Sequence, residues 1–336
     1  MRDHDTWQVN GIDLAVTIAG SGPLVVLAHG FPDLAITWRH QVPALVEAGY
    51  RVVAPDMRGY GRSSRPSSPD SYDSDTVGAD LIALLDHEQV ERAHFVGHDW
   101  GAASVWPLGL THPGRVLSLT GLSVPYTVPA PVAPMGIFRS RFGDDFYMLK
   151  FQEKATPEAM LERDVSRTLV AVLSGRVDQL DSDDVIGAPA WLLDDVLDTY
   201  VREFERTGFG GGLNYYRNID ANWRLATRRD QHRIEAPSLF VTGTEDPISA
   251  FMPADRSARG FRRLHSHTVS GAGGLGLVEA LYCDVRFATP SAKLMTAFSR
   301  RNWPTPVRPG RCSPSNPSSG PLPSRTSTRR FPTPTG

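Results

Sequence analysis

The feature that most restricts the fold is a set of short apolar runs, each ending in a turn and most followed by a helical pattern. PLVVLAHG (23–30), YRVVAPD (50–56), RAHFVGHD (92–99) and RVLSLTGLSV (115–124) are strand-length. Their apolar residues are continuous rather than alternating, which marks strands buried on both faces. Between them ITWRHQVPALVEAGY (36–50), TVGADLIALLDHE and GAASVWPLGLTH (101–112) space apolar residues at helical intervals. Strands alternating with helices predict an α/β fold with a mostly parallel central sheet flanked by helices. WQVNGIDLAV reads as a hairpin turning at Asn10-Gly11, a pair able to take the positive φ angles of a tight turn. Pro107 sits inside the third helical pattern. It removes one backbone N–H and predicts a kink costing about 3 kcal/mol.

The rhythm breaks over residues 125–236. PYTVPAPVAP is linker-like, and TPEAMLERDVSRTLVAVL and APAWLLDDVLDTYVREFERTG are helical in pattern. Alternation resumes at PSLFVTGTED (237–246) and RRLHSHTVSG (262–271). The expected organisation is a core formed by 1–124 and 237–284, with a helical cap at 125–236. Residues 285–336 are different in kind. They hold eight Arg, one Lys and ten of the 27 prolines, with no Asp or Glu. Removing that +9 from the net charge of −2 leaves −11 for residues 1–284. Such a composition predicts a largely disordered Pro/Ser/Arg-rich tail, although LVEALYCDVRF and SAKLMTAFSR retain helical patterns.

Several partner classes find no support. The small net charge points to neither nucleic acid nor a membrane surface. Cys283 and Cys312 have no metal spacing and make no disulfide framework. MRDHDTWQVN lacks the apolar core of a signal peptide, and no apolar run is long enough to span a bilayer. The expectation is a cytoplasmic monomer or homodimer with no cofactor and no metal.

The chemistry begins at FVGHDWGAA (95–103), where Gly97, Asp99 and Gly101 form G-x-D-x-G between a strand and a helix. A sharp strand-to-helix turn strains the central residue and crowds its neighbours, so small residues two before and two after are required. Asp99 then stands at the C-terminal edge of the sheet beside a helix N-terminus, which favours its anion. HGFPD (29–33) follows the first buried strand. Its loop can turn the N–H of Phe31 toward Asp99, and with the N–H of Trp100 this would make an oxyanion hole. His29, Pro32 and Trp100 are expected to line the substrate pocket.

Together HGFPD, DMRGYGRSSRP (56–66) and GHDWGA resemble the α/β-hydrolase fold, and within it the epoxide hydrolase and haloalkane dehalogenase branch, over about residues 7–273. The resemblance implies an Asp nucleophile. A carboxylate needs no base to attack an sp³ carbon, and the product is an ester of the protein. Water then hydrolyses that ester if a base activates it. FYMLKFQEKATPEAMLE (146–162) and GGLNYYRNIDANW (211–223) are similar to the epoxide hydrolase cap. The likeness places Tyr147 and Tyr216 as the two phenols that donate to the epoxide oxygen. Spacing alone does not choose between Tyr215 and Tyr216. Asp246, in VTGTEDPI, takes the position of the acid that orients a histidine.

That histidine is missing. The family pattern G-A-G-H-W appears here as SGAGGLGLVEALY (270–282), with Gly274 in the place of the base and no His after His267. His265 and His267 lie on the strand leading in, about 23 Å of extended chain too early in the case of His267. Either the reading frame slips near Gly273, or the tail is a genuine extension of a protein that has lost its base. The resemblance therefore implies an epoxide hydrolase that forms the alkyl-enzyme and hydrolyses it poorly. A haloalkane dehalogenase and a catalytically dead ligand-binding homologue are the alternatives. The expected partners are a small hydrophobic epoxide and water.

Overall fold

The computed structural model describes residues 4–182, 184–252, 259–273 and 276–283. Asn10 and Gly11 both take positive φ, 46° and 74°, the turn geometry that matches strand twist. β1 (His4–Val9) therefore folds back on β2 (Ile12–Ala19), with Val9 opposite Ile12. β3 (Leu24–Ala28) follows and is buried at every position.

The helical pattern 36–50 is not one helix. A 3₁₀ turn at Ala35–Arg39 precedes α1 (Gln41–Glu47). In a continuous α-helix the ring of Pro43 would collide with the carbonyl of Arg39. β4 (Arg51–Pro55), α2 (Ser74–His87), capped by the Asp73 carboxylate, and β5 (Ala93–His98) come next. The helix after β5 is broken at Pro107, as its position predicts, into α3 (Trp100–Val105) and α4 (Leu108–Thr111). β6 (Val116–Leu122) completes the first half.

The chain then leaves the sheet. α5 (Pro134–Phe142), α6 (Tyr147–Lys150), α7 (Thr156–Glu162), α8 (Val165–Leu173), α9 (Asp194–Thr207), α10 (Gly210–Arg217) and α11 (Ile219–Thr227) lie between β6 and β7. The pattern TPEAMLERDVSRTLVAVL divides into α7 and α8 because the Asp164 carboxylate accepts the Arg167 N–H at 2.9 Å and starts a new helix. The chain returns through β7 (Ser238–Gly243) and β8 (Leu264–Val269) to α12 (Gly276–Cys283).

Among the described residues the strands form one eight-stranded sheet in the order β1-β2-β4-β3-β5-β6-β7-β8. The two pairs involving β2 are antiparallel and the rest are parallel. Successive strand residues point to opposite faces, and two apolar clusters result. Val26, Val53 and Phe95 join Leu81, Leu84 and Trp106 in one. Val25, Val52 and Val96 join Trp38, Leu277 and Val278 in the other. α12 is tied down further by Gln41 Nε2 donating to Val278 O at 2.8 Å and by Arg39 pairing with Glu279 at 2.6 Å. This bears out the helical pattern of LVEALYC. Gly274, SAKLMTAFSR and the tail lie outside the described residues. Among those described, no helix is long and apolar enough to cross a membrane.

Candidate active site

Asp99 stands between β5 and α3 with φ 53° and ψ −119°, a strained backbone for a residue with a side chain, costing on the order of 1–3 kcal/mol. The glycines around it give the turn its room. A Cβ on Gly97 would lie 2.3 Å from Gly101 C, and one on Gly101 would lie 2.0 Å from Ala28 O. A Cβ on Gly30 would lie 2.4 Å from Asp99 Cβ, so the HGFPD loop is pressed directly against the elbow. The Phe31 N–H donates to Asp99 Oδ1 at 2.9 Å, and the Trp100 N–H also stabilises the anion.

An ordinary aspartate held ionised by a helix end is not what results. Burial pushes the Asp99 pKa up to about 6. The Phe31 and Trp100 N–H groups oppose the rise, and the negative charge of Asp246 adds to it. α3 is a six-residue helix, and its end does not outweigh the lost hydration. The carboxylate is still about nine-tenths ionised at pH 7. Asp99, Trp100 and Tyr147 each keep some accessible surface, although Asp99 and Tyr147 are enclosed by protein.

Both sequence-selected tyrosines reach this place. Tyr147 opens α6 and Tyr216 lies in α10, their ring centroids 6.1 Å apart. The Tyr216 ring sits 4.9 Å from Trp100, 5.1 Å from Phe151 and 5.4 Å from Phe31. Burial pushes both phenols above their ordinary pKa, and the Asp99 charge pushes them further. Tyr215, the open alternative, is spent elsewhere: its hydroxyl donates to Arg58 O at 2.9 Å.

Asp246 is buried at the head of a 3₁₀ turn. Its Oδ1 accepts the Ile248 N–H at 3.0 Å, while Oδ2 has no hydrogen-bond partner among the described residues. Burial raises its pKa, opposed by the Ser123 hydroxyl and the Ile248 N–H. Gly273 packs on the same backbone, since a Cβ there would lie 2.2 Å from Glu245 O and 2.7 Å from Asp246 N. His265 and His267 are exposed on β8.

His29 is not a free pocket wall. Its Nδ1 pairs with Gly30 O and its Nε2 accepts the Met57 N–H, both at 2.9 Å. Burial lowers its pKa to about 3, so the ring is a neutral strut holding two loops. Pro32 is buried beside it after a cis peptide bond. Sequence reasoning passed over Phe151, Tyr60 and the contact between Asp33 and Tyr200. The Tyr200 hydroxyl donates to Asp33 Oδ1 from α9, and burial lifts Asp33 to about 7. Nothing in a single sequence marks these aromatics, because partners such as Phe31 for Phe151, Tyr215 for Tyr60 and Asp33 for Tyr200 are more than a hundred residues away.

Comparison with known proteins agrees with this fold. Residues 23–255 match the family described as alpha/beta hydrolase fold. The chain is 46% identical over 272 residues to Epoxide hydrolase A of Mycobacterium tuberculosis, covering 74% of this chain and 84% of that protein. It is 38% identical over 261 residues to Epoxide hydrolase 1 of Siraitia grosvenorii, covering 74% and 82%. The crystal structure of Epoxide Hydrolase A from Mycobacterium thermoresistibile superposes with a TM-score of 0.83 at 39% identity, covering 88% of this chain and 98% of that one.

Proposed function

We propose that this chain, which belongs to the epoxide hydrolase family of the α/β-hydrolase fold, opens small hydrophobic epoxides with Asp99 as nucleophile. One Asp99 oxygen attacks an epoxide carbon, the carbon–oxygen bond of the ring breaks, and an alkyl ester of Asp99 forms. The departing alkoxide takes a proton from Tyr147 or Tyr216. An epoxide oxygen is a poor leaving group without that proton, and phenols with raised pKa values hold it at neutral pH. Water attacking the ester carbonyl would build negative charge where the Phe31 and Trp100 N–H groups point. Residues 125–236 act as a cap that carries both phenols over the sheet edge.

Asp246 is the orienting acid for a general base that the sequence lacks. Its buried Oδ2, which has no hydrogen-bond partner among the described residues, and the contact of Gly273 with its backbone support Gly274 as the position of that base. The expected behaviour is alkylation followed by slow hydrolysis to the vicinal diol. A buried carboxylate with two phenols gathered beside it, their rings 6.1 Å apart and one packed on the adjacent Trp100, is the observation that carries the reading. It favours an epoxide over an alkyl halide, since a departing halide needs no proton. A cytoplasmic monomer or homodimer is the accompanying expectation.

The test compares the native chain with Asp99→Ala on styrene oxide, following diol and covalent mass together. Either signal in the native chain, absent from the variant, supports the assignment. Diol formed equally by the variant would remove Asp99 from the mechanism.

A further inference from the structure

We propose that Tyr215 is a positioning residue for the ring-opening step: its hydroxyl, seated on the Arg58 carbonyl, fixes the rotation of α10 and so the aim of Tyr216. This inference rests on the reading of Tyr216 as a proton donor to the epoxide.

α10 meets the core along two adjacent rows. Residues four apart on a helix lie one above the other. Gly211 and Tyr215 form the first row and face the loop at Arg58-Gly59. A Cβ on Gly211 would lie 2.2 Å from Gly59 O, and the Tyr215 hydroxyl donates to Arg58 O at 2.9 Å. Gly212 and Tyr216 form the second row and face Phe31. A Cβ on Gly212 would lie 2.6 Å from Phe31 Cδ2, and the Phe31 and Tyr216 rings are 5.4 Å apart. The two glycines bring the start of the helix into contact with the core, but a glycine has no side chain to lock its rotation. The Tyr215 hydrogen bond ties that row to the core one turn later.

The point it seizes is itself held. Arg58 Nε and Nη2 grip the two Asp80 oxygens at 2.7 and 2.6 Å, both side chains being nearly inaccessible. Asn10 Nδ2 adds a third bond to Asp80 at 2.7 Å. A bidentate, enclosed pair of this kind fixes orientation as well as distance. Beyond α10 the Asn218 side chain donates to Pro69 O at 2.6 Å, and Asn222 Oδ1 accepts the Ser74 N–H at 2.8 Å. On the cap side Gln152 Nε2 donates to Tyr216 O at 2.9 Å and Arg217 pairs with Glu158 at 2.8 Å, so the Tyr215 hydroxyl and the Asn218 amide are the bonds that tie this last turn of α10 to the core.

Rotation matters because a tyrosine is a long lever. A phenol oxygen roughly 8 Å from the helix axis moves about 1.4 Å for a rotation of about 10°. A misplacement of about 1 Å costs on the order of a hundredfold in a positioned reaction.

The experiment is Tyr215→Phe, which keeps the ring against Tyr60, Tyr72 and Trp100 and removes only the hydroxyl. Two reagents are followed by intact mass mapped to Asp99: styrene oxide, which needs a proton donor, and benzyl bromide, which does not. Tyr216→Phe and the double variant are run alongside. The proposal expects Tyr215→Phe to slow the styrene oxide reaction about tenfold or more and to leave the benzyl bromide reaction within about twofold. It also expects the double variant to react no more slowly than Tyr216→Phe alone. Equal losses with both reagents would mean a merely structural role and overturn the proposal, as would full epoxide reactivity in Tyr215→Phe when Tyr216→Phe is slow. If Tyr216→Phe itself reacts normally, the assignment of Tyr216 as donor is wrong and this inference falls with it.

Discussion

Lowering the pH should disable the nucleophile in a range where an ordinary aspartate would be indifferent. Asp99 is raised to about 6, chiefly by burial. Its ionised fraction therefore falls from about nine-tenths at pH 7 to about one-eleventh at pH 5, a loss of about tenfold in alkylation rate. A carboxyl at the ordinary value of 3.8 would lose only about a twentieth over the same interval. Tyr147 and Tyr216 are shifted upward, so neither phenol ionises between pH 5 and 8 to blur the limb. The assay is the rate of Asp99 ester formation with styrene oxide, quenched and read by intact mass. Because Asp246 contributes to the rise, Asp246→Asn should move the midpoint toward lower pH. The same shift has a stability consequence of opposite convenience. A carboxyl raised in the folded state destabilises the fold fully above pH 6 and not at all below 3.8. The rise from 3.8 to about 6 amounts to about 3 kcal/mol at most. Asp99→Asn should therefore stabilise the protein by up to that amount at pH 7 to 8 and by almost nothing near pH 3, in urea unfolding. A rate flat from pH 5 to 8, or an equal gain in stability at both ends, would refute the reasoning.

Three further outcomes follow from the site. Gly274→His should raise multiple-turnover diol formation by about a hundredfold or more, the usual contribution of a general base; an unchanged rate would mean that position 274 does not serve Asp246. Tyr147→Phe and Tyr216→Phe should each slow epoxide alkylation by about ten- to a hundredfold, with the double variant slower still, and single-turnover mass measurements would show it. Asp80→Ala leaves the buried Arg58 guanidinium uncompensated and should cost about 3–5 kcal/mol of stability, read as a lower urea midpoint.

Much of the scaffold was legible because it depends on short-range chemistry. The apolar continuity of PLVVLAHG and RAHFVGHD reports burial on both faces, and β3 and β5 are buried throughout. Asn10-Gly11 and Pro107 act through their own backbone limits, and the hairpin turn and the helix break fall where those limits put them. The elbow was readable for the same reason: Gly97 and Gly101 are the only residue type that fits there. What a single sequence hides is set by distant partners. Pro43 divides a helical pattern that periodicity treats as continuous, and Asp164 does the same by capping. Periodicity could not separate Tyr215 from Tyr216, because both are buried against the core on adjacent rows of the helix; the Arg58 carbonyl, supplied from 157 residues away, distinguishes them. The rise in the Asp99 pKa is likewise a property of enclosure, which composition and motif spacing do not encode.

The most direct test of the account is intact-protein mass spectrometry after incubation with a panel of small epoxides, followed by peptide mapping. The account expects a persistent mass increase equal to the epoxide, located on Asp99, with little diol released. A mass increase on any residue other than Asp99, or rapid diol formation by the native chain with no ester on Asp99 at any time, would contradict it.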